Sequence, residues 1–261
     1  AVLLVGPEGI GLEAMAKAMA EVALCESLSE AGACGTCRGC RLFAANNHPD
    51  CAHMTLIEKS RQIKVDQVRQ LTHTLNQTAQ FGRQVAIIHP AHQLNTAAAN
   101  ALLKTLEEPS GSVLLVLTAP NRSLLPATVS SRTQVVDLTL HDPSLAVAWL
   151  AEQFPNESAD ALLRLCSGGP LLAEGLLAQG YRQLSGEIVG LLKQSVVENK
   201  NILPSVPALV KYDSSLLLRA LSGIVSDIVK QLLGIGQAHL THVDLVGDYA
   251  AMLPHLEVNA V

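Results

Sequence analysis

The chain has 261 residues, of which 49% are hydrophobic and 16% are charged, a composition typical of folded globular proteins and unlike that of disordered chains. The formal net charge of −5 and the presence of only one Trp, three Tyr and three Phe argue against a protein that binds nucleic acid by itself, because such proteins rely on basic fields or stacking aromatics. No apolar run reaches the ~18 residues that span a bilayer, and the first residues lack a basic leader. The sequence therefore predicts a cytoplasmic protein that does not contact membranes.

The first predicted elements are a strand over residues 1–5, a glycine loop and a helix. Gly6 and Gly11 have the spacing of the phosphate-binding pattern G-x-x-x-x-G-K-[ST]. Leu12 stands where that pattern needs the lysine that reaches the phosphates, and Glu13 stands where it needs the hydroxyl that holds Mg²⁺. A carboxylate in the first helical turn would repel a triphosphate. We therefore expect a helix-capping turn without nucleotide, with retained nucleotide binding as the alternative.

Four of the six cysteines are clustered after this helix, at Cys25, Cys34, Cys37 and Cys40. In a compartment that keeps thiols reduced, such clustering favours a metal over disulfides. Four thiolates at this spacing can close a tetrahedral zinc site, and the glycines between them allow the ligands to converge. An iron–sulfur cluster and unliganded thiols are the alternatives. The sequence predicts one structural Zn²⁺.

Two further apolar runs, residues 84–88 and 112–117, predict buried parallel strands. Between them, Asn95 is a suitable N-cap and Pro109 a stop signal, which together predict a helix. A fourth strand is predicted over residues 133–140. Strands that alternate with helices in this way indicate a doubly wound α/β domain.

The strand at residues 84–88 is followed by His89-Pro90-Ala91-His92 and not by acidic residues. Without a carboxylate there, no side chain holds Mg²⁺ or orients water, so ATP hydrolysis is not expected. Two imidazoles without a third ligand are usually ordinary surface residues. We predict that role for both histidines.

From residue 141 onward the strand signals fade, and helical patterns are separated by segments rich in Pro and Gly. These breaks predict a small helical module over residues 141–180 and a larger helical bundle over residues 181–261. Residues 216–233 carry apolar side chains on more than one helical face, so this helix should be covered on two sides. Either an oligomer interface or the helix's own bundle would provide the second cover.

Arg132 follows a turn that begins at Pro126 and precedes the predicted strand over residues 133–140. An Arg at such an edge is either a surface residue or a group offered to a phosphate on a neighbouring subunit. Taken alone, the position favours the surface residue.

Together these segments resemble the delta-prime family of bacterial DNA polymerase III clamp-loader subunits. The resemblance is carried by the cysteine cluster, by Asn-Ala-Leu-Leu-Lys-Thr-Leu-Glu-Glu-Pro at residues 100–109 and by residues 125–132. It covers residues 1–180 closely and the remainder through helix pattern alone. The fold it implies is an α/β P-loop (AAA+) domain with an inserted zinc module at residues 1–140, a small helical lid at residues 141–180 and an all-α collar for oligomerisation at residues 181–261.

The resemblance also implies a function. Members of this family are non-hydrolysing subunits that help load the sliding clamp onto primed DNA within the polymerase holoenzyme, a nucleotidyltransferase. The implied partners are gamma/tau-type ATPase subunits, a delta-type subunit, the clamp, and primed DNA through the assembled complex. Structural zinc is the only cofactor expected, without ATP.

Two site residues follow from the resemblance. Arg132 corresponds to the Arg of the family's Ser-Arg-Cys motif, here Ser131-Arg132-Thr133, and would act in trans on a neighbour's ATP. Thr118 falls at the family's sensor position, and residues 169–172 lack the sensor Arg of the ATP-binding members.

Two other functions are the alternatives. An autonomous P-loop ATPase conflicts with Leu12, Glu13 and His89. A zinc-stabilised DNA-binding adaptor conflicts with the net charge of −5 and the scarcity of aromatic residues.

Overall fold

The computed structural model describes residues 1–57, 60–109 and 111–256. The chain divides into two compact units, Ala1–Thr139 and Leu140–Val261. The last residues of the predicted collar, 257–261, lie outside the described residues. Within the described part of the chain, no helix combines the length and apolar character needed to cross a bilayer.

The first unit is built on a parallel five-stranded sheet in the order β2-β3-β4-β1-β5. Its strands are β1 (Val2–Val5), β2 (Cys51–Met54), β3 (Gln84–Ile88), β4 (Val113–Ala119) and β5 (Gln134–Asp137). The predicted parallel α/β architecture is thereby confirmed, although β5 is shorter than predicted. The sequence analysis missed β2, because its four residues include no β-branched residue and no Tyr, Phe or Trp, the residue types that signal a strand.

Helices cover both faces of this sheet. They are α1 (Leu12–Leu24), α2 (Arg38–Ala44), α3 (Val65–Leu75), α4 (Thr96–Glu107) and α5 (Ala127–Ser130). Successive strand residues point to opposite faces, so Leu3 packs in the core cluster that contains α3 and α4, and Leu4 packs in the cluster that contains α1. The predicted cap of α4 is confirmed, since Asn95 Oδ1 accepts a 2.8 Å hydrogen bond from the Ala98 N–H.

The described residues of the second unit form helices and connecting segments, without a strand. Its helices are α6 (Pro143–Gln153), α7 (Ala159–Leu165), α8 (Leu172–Ala178), α9 (Tyr181–Val196), α10 (Ser214–Leu232) and α11 (Val246–Met252). One core cluster joins residues on both sides of position 180, among them Leu150 and Ile224. The division of this unit into a lid and a collar stays a prediction.

Helix α10 has one buried and one exposed apolar face. Leu216 and Ile224 are buried in the core of the second unit. On another face, Leu218, Val225 and Val229 are 67%, 56% and 46% exposed. Among the described residues, the helix is therefore covered on one side and leaves an apolar stripe in contact with solvent.

A fully buried polar network ties α9 and α10 to the segment that precedes α11. Tyr181, Asp227 and His242 are each 0% exposed. His242 Nδ1 lies 2.8 Å from Asp227 Oδ2, and His242 Nε2 lies 3.0 Å from the Tyr181 hydroxyl. With Asp227 ionised, the histidine donates a hydrogen bond through Nδ1–H and accepts one from the Tyr181 hydroxyl at Nε2, so all three groups are paired.

Two further features keep this network in place. The Asp227 carboxylate also accepts the backbone N–H groups of Thr241 and His242, at 2.9 and 2.8 Å. Burial acts to raise the pKa of Asp227, but the hydrogen bonds from His242 and Thr241 outweigh it and hold the pKa below its ordinary value. A Cβ at Gly223 would lie 2.9 Å from His242 Cε1, so only glycine allows the imidazole to approach α10 this closely.

Candidate functional site

The glycine loop runs from the end of β1 to the start of α1. Gly11 is the N-cap of α1 and has a φ of 102°, a conformation that favours glycine. Leu12, the residue in place of the phosphate-binding lysine, is only 8% exposed and packs in the core cluster that contains Leu4 and Ala16. The loop therefore uses this position to anchor α1 on the sheet.

Glu13 is at the centre of a cluster of ionisable groups beside the loop. Its carboxylate lies 2.7 Å from Lys17 Nζ and 3.6 Å from the Nε2 atoms of both His53 and His89. The hydrogen bond from Lys17 lowers the pKa of Glu13, against the opposing effect of burial. These four residues, the Glu13 cluster, therefore hold an ionised carboxylate in the first turn of α1, where the helix dipole favours it.

His89, predicted to be a surface residue, is only partly exposed. Its Nδ1 lies 2.7 Å from the hydroxyl of Thr118, which is fully buried on β4, and its imidazole is 28% exposed. Burial lowers the pKa values of His89 and His53, and nearby Glu13 opposes this effect. The residue that directly follows β3 thus places a half-buried imidazole beside the loop.

Sequence reasoning did not find His53 or Lys17. His53 lies on β2, which was not predicted, and it reaches the cluster because β2 pairs in parallel with β3. The contact of Lys17 with Glu13 could have been predicted, because a Glu and a Lys four residues apart on a helix lie close enough to form an ion pair.

The four-cysteine cluster consists of Cys25, Cys34, Cys37 and Cys40. The Sγ atoms all lie within 4.8 Å of one another, and those of Cys25 and Cys37 are 4.0 Å apart. A tetrahedral site with zinc–sulfur bonds of about 2.3 Å requires sulfur atoms roughly 3.8 Å apart. The structure thus brings together the four predicted ligands in an arrangement that can hold one metal ion.

Backbone amides surround these sulfur atoms. The N–H groups of Cys34, Cys37 and Cys40 each donate to the Sγ of another member of the cluster, at 3.3 Å. Hydrogen bonds from Thr36 and Cys37 lower the pKa of the Cys34 thiol to about 6, whereas burial raises that of Cys40 to about 12. A cation offsets the cost of burying a Cys40 thiolate, so this donor set suits a metal.

The end of α1 and the start of α2 each position one of these cysteines. Cys25 is the C-cap of α1 and Cys37 is the N-cap of α2. A Cβ at Gly39 would lie 2.5 Å from the Leu24 carbonyl oxygen, and the Gly39 N–H donates to Glu26 Oε2 at 3.0 Å. The two helix ends can approach this closely only because residue 39 is glycine.

Arg132 lies between α5 and β5 and is held within its own chain. Its Nε and NH2 groups contact Glu107 Oε1 at 2.6 and 2.5 Å, and its NH1 donates to the Thr128 carbonyl at 2.9 Å. The side chain of Arg132 is 36% exposed and that of Glu107 is 49% exposed. Sequence reasoning did not find this pair, because its members are separated by 25 positions.

Comparison with known proteins places the chain in a family. The family model described as DNA polymerase III, delta subunit, matches residues 1–142. The chain is 43% identical over 204 residues to DNA polymerase III subunit delta' of Pseudomonas aeruginosa, with 75% of this chain and 62% of that protein covered. It is 37% identical to the Haemophilus influenzae subunit, with 69% of this chain and 56% of that protein covered.

The match to the Escherichia coli subunit extends further along the chain. It has 33% identity over 260 residues and covers 98% of this chain and 77% of that protein. The chain thus spans less than two thirds of the Pseudomonas and Haemophilus proteins and about three quarters of the Escherichia protein. The matches agree with the resemblance carried by the cysteine cluster and by residues 100–109, and the chain belongs to the family of DNA polymerase III delta-prime subunits.

Proposed function

We propose that the chain acts in the cytoplasm as a non-hydrolysing subunit of the replicative clamp loader and helps to load the sliding clamp onto primed DNA. It would do so within the polymerase holoenzyme, beside gamma/tau-type ATPase and delta-type subunits. Membership of the delta-prime family supports the assembly. The observation that carries the lack of hydrolysis is the paired carboxylate of Glu13 beside the glycine loop.

Four features in or beside the loop disfavour ATP. Leu12 packs in the core and offers no cation to the β- and γ-phosphates. Lys17, a nearby cation, is paired with Glu13 at 2.7 Å. His89 at the end of β3 supplies neither a carboxylate for Mg²⁺ nor a group to orient water. A triphosphate in the loop would meet a carboxylate whose pKa is lowered, so repulsion persists at neutral pH.

We assign the role of trans-acting arginine to Arg132. A guanidinium stays charged and can meet two phosphate oxygens at once, as a neighbour's hydrolysing triphosphate requires. Arg132 first has to leave Glu107. Because both side chains are substantially exposed, breaking this ion pair costs only about 0–1 kcal/mol. A neighbouring subunit's phosphates could therefore recruit Arg132 at little cost.

The four-cysteine cluster is proposed to hold one structural Zn²⁺. All four donors are thiols, and a closed four-thiolate site leaves no open position for substrate. Its role would be to fix the segment between α1 and α2. The exposed apolar stripe of α10 is proposed to bind other subunits in the collar.

The test reconstitutes the loader from this chain, ATPase and delta-type subunits, the clamp and primed DNA, and replaces Arg132 by Ala. We expect unchanged assembly and zinc content but a lower DNA-stimulated ATPase rate and slower clamp loading. The loss should be partial, because a loader with several ATP sites keeps the others. Arg132→Lys should restore little, because an ammonium lacks the planar fork.

Arg122→Ala is the matched control, because Arg122 is an exposed arginine in the segment between β4 and α5 of the same unit. If Arg132→Ala loads clamps as fast as the wild type, Arg132 is a surface residue. ATP turnover by the isolated chain would instead favour an autonomous ATPase.

A further inference from the structure

A cavity of about 660 Å³ in the second unit is lined by α6, by α7 and the residues after it, by α10, and by the segment that follows α10. Its walls carry three cationic side chains, Arg164, Arg219 and Lys230, together with the hydroxyl groups of Ser222 and Ser226. In a chain of net charge −5, such a group of cations is unexpected. The glycine loop and Arg132 lie outside this lining, so the proposal does not depend on the roles given to them above.

Two of these cations are fixed by neutral partners. Arg164 Nε donates to the Leu240 carbonyl at 3.0 Å, and Lys230 Nζ donates to the His239 carbonyl at 3.0 Å. Carbonyl oxygens orient the side chains without cancelling their charges. Lys230 Nζ also lies 3.6 Å from Asp227 Oδ1, and at this distance the carboxylate offsets part of the positive charge of Lys230.

The lining also indicates the kind of ligand. Asp160 is the one acidic residue among the described residues that line the cavity, against three basic ones. The same described lining contains no aromatic side chain that could stack on a nucleobase. Ser222 and Ser226 are four residues apart on α10 and exposed, so both hydroxyls can donate from one face.

We propose that this cavity binds a phosphate-type oxyanion. Arg164 would supply the NH groups that do not contact Leu240, Lys230 would act as a point charge, and the two serines would donate neutral hydrogen bonds. The ligand's oxygens would thereby meet charged and neutral donors from two helices. The phosphate group could belong to a small free anion or to the backbone of a nucleic acid strand.

The test is calorimetric titration of the chain with inorganic phosphate, pyrophosphate and a single-stranded oligothymidylate, in a phosphate-free buffer at constant ionic strength. Saturable binding of a phosphate-bearing ligand is expected. Arg164→Gln and Lys230→Gln should each weaken it about tenfold or more, since each removes a charge-assisted contact. Binding of phosphate or pyrophosphate would identify a free anion as the source, and binding of the oligonucleotide alone would identify a strand.

Lys200→Gln is the matched control, because Lys200 is exposed, pairs with Glu198 and is not part of the cavity lining. If Arg164→Gln does not fold, Ser226→Asp provides a second test, since it places a negative charge in the cavity from an exposed position. Asn199→Asp is its control, because it adds the same negative charge outside the cavity lining and should leave binding unchanged. The proposal is wrong if no ligand binds at about 10 mM, ten times the ~1 mM dissociation constant of a weak site, or if the cavity variants bind as tightly as the controls.

Discussion

Replacing Asp227 by Asn should destabilise the second unit more than any exposed Asp→Asn change. The carboxylate accepts hydrogen bonds from the His242 ring, the His242 N–H and the Thr241 N–H, all in a fully buried position. An amide keeps one acceptor oxygen and places an NH₂ group against donors. The variant loses one or two hydrogen bonds to a charged acceptor and leaves the imidazole poorly paired. The free energy of unfolding should therefore fall by about 3 kcal/mol or more.

Thermal and urea unfolding measure this effect. For a unit of this size, about 3 kcal/mol corresponds to a fall of roughly 10 °C in the melting temperature of that transition. Asp244→Asn is the matched control, because Asp244 is two residues from His242 but is 53% exposed and pairs with Arg182. Loss of this exposed ion pair should lower the free energy of unfolding by less than about 1 kcal/mol. Equal destabilisation by the two variants would refute the reasoning.

The same comparison has a predicted pH dependence. Because the pKa of Asp227 is lowered in the folded state, its ionisation adds stability that is fully present above the pKa of an unfolded Asp, about 3.9. This contribution is lost as the pH falls through the lower pKa of the folded state. The stability difference between wild type and Asp227→Asn should therefore be constant near neutral pH and shrink below about pH 4. A difference that is unchanged in acid would show that the carboxylate's charge is not its source.

Three further outcomes are expected. The purified chain should contain about one equivalent of zinc. Removal of the zinc by a chelator should increase amide hydrogen exchange in residues 25–44 while the sheet stays folded. An iron–sulfur absorption band would contradict the assignment of zinc. Calorimetry with ATP and Mg²⁺ should detect no binding tighter than about 1 μM, and a tighter complex would contradict the role given to Glu13. Val225→Asp, on the exposed stripe of α10, should weaken subunit assembly without unfolding the chain, whereas Lys200→Asp, at another exposed position, should not.

Local patterns were sufficient to predict much of the first unit. Three buried runs gave β1, β3 and β4, and the cap at Asn95 gave the start of α4, because these signals are contained in neighbouring residues. The clustering of the four cysteines was predictable for the same reason, since their short spacing restricts how far apart the thiols can lie. Sequence patterns therefore predict well where the determining contacts are local.

The features that were not predicted depend on contacts between residues far apart in the sequence. His53 joins the Glu13 cluster only because β2 pairs in parallel with β3, and the residues of β2 carry no pattern that predicts a strand. The contact between Arg132 and Glu107 depends on how α4 and α5 pack. The Asp227, His242 and Tyr181 network likewise joins three positions whose side chains meet only in the folded unit. Such contacts require the register and packing that single-sequence patterns do not contain.

The loop's departures from the nucleotide-binding pattern have a structural consequence. A phosphate-binding loop keeps its cation available for the ligand and is completed by the ligand's charge. Here Leu12 contributes to the core, and the charge of Glu13 is balanced by Lys17. Contacts within the chain thus hold α1 against the sheet and balance the charge of its first turn, which supports the proposal that the loop binds no nucleotide. Under that proposal, a contribution to ATP chemistry comes from outside the loop, and the exposed Arg132 is the residue proposed to make it.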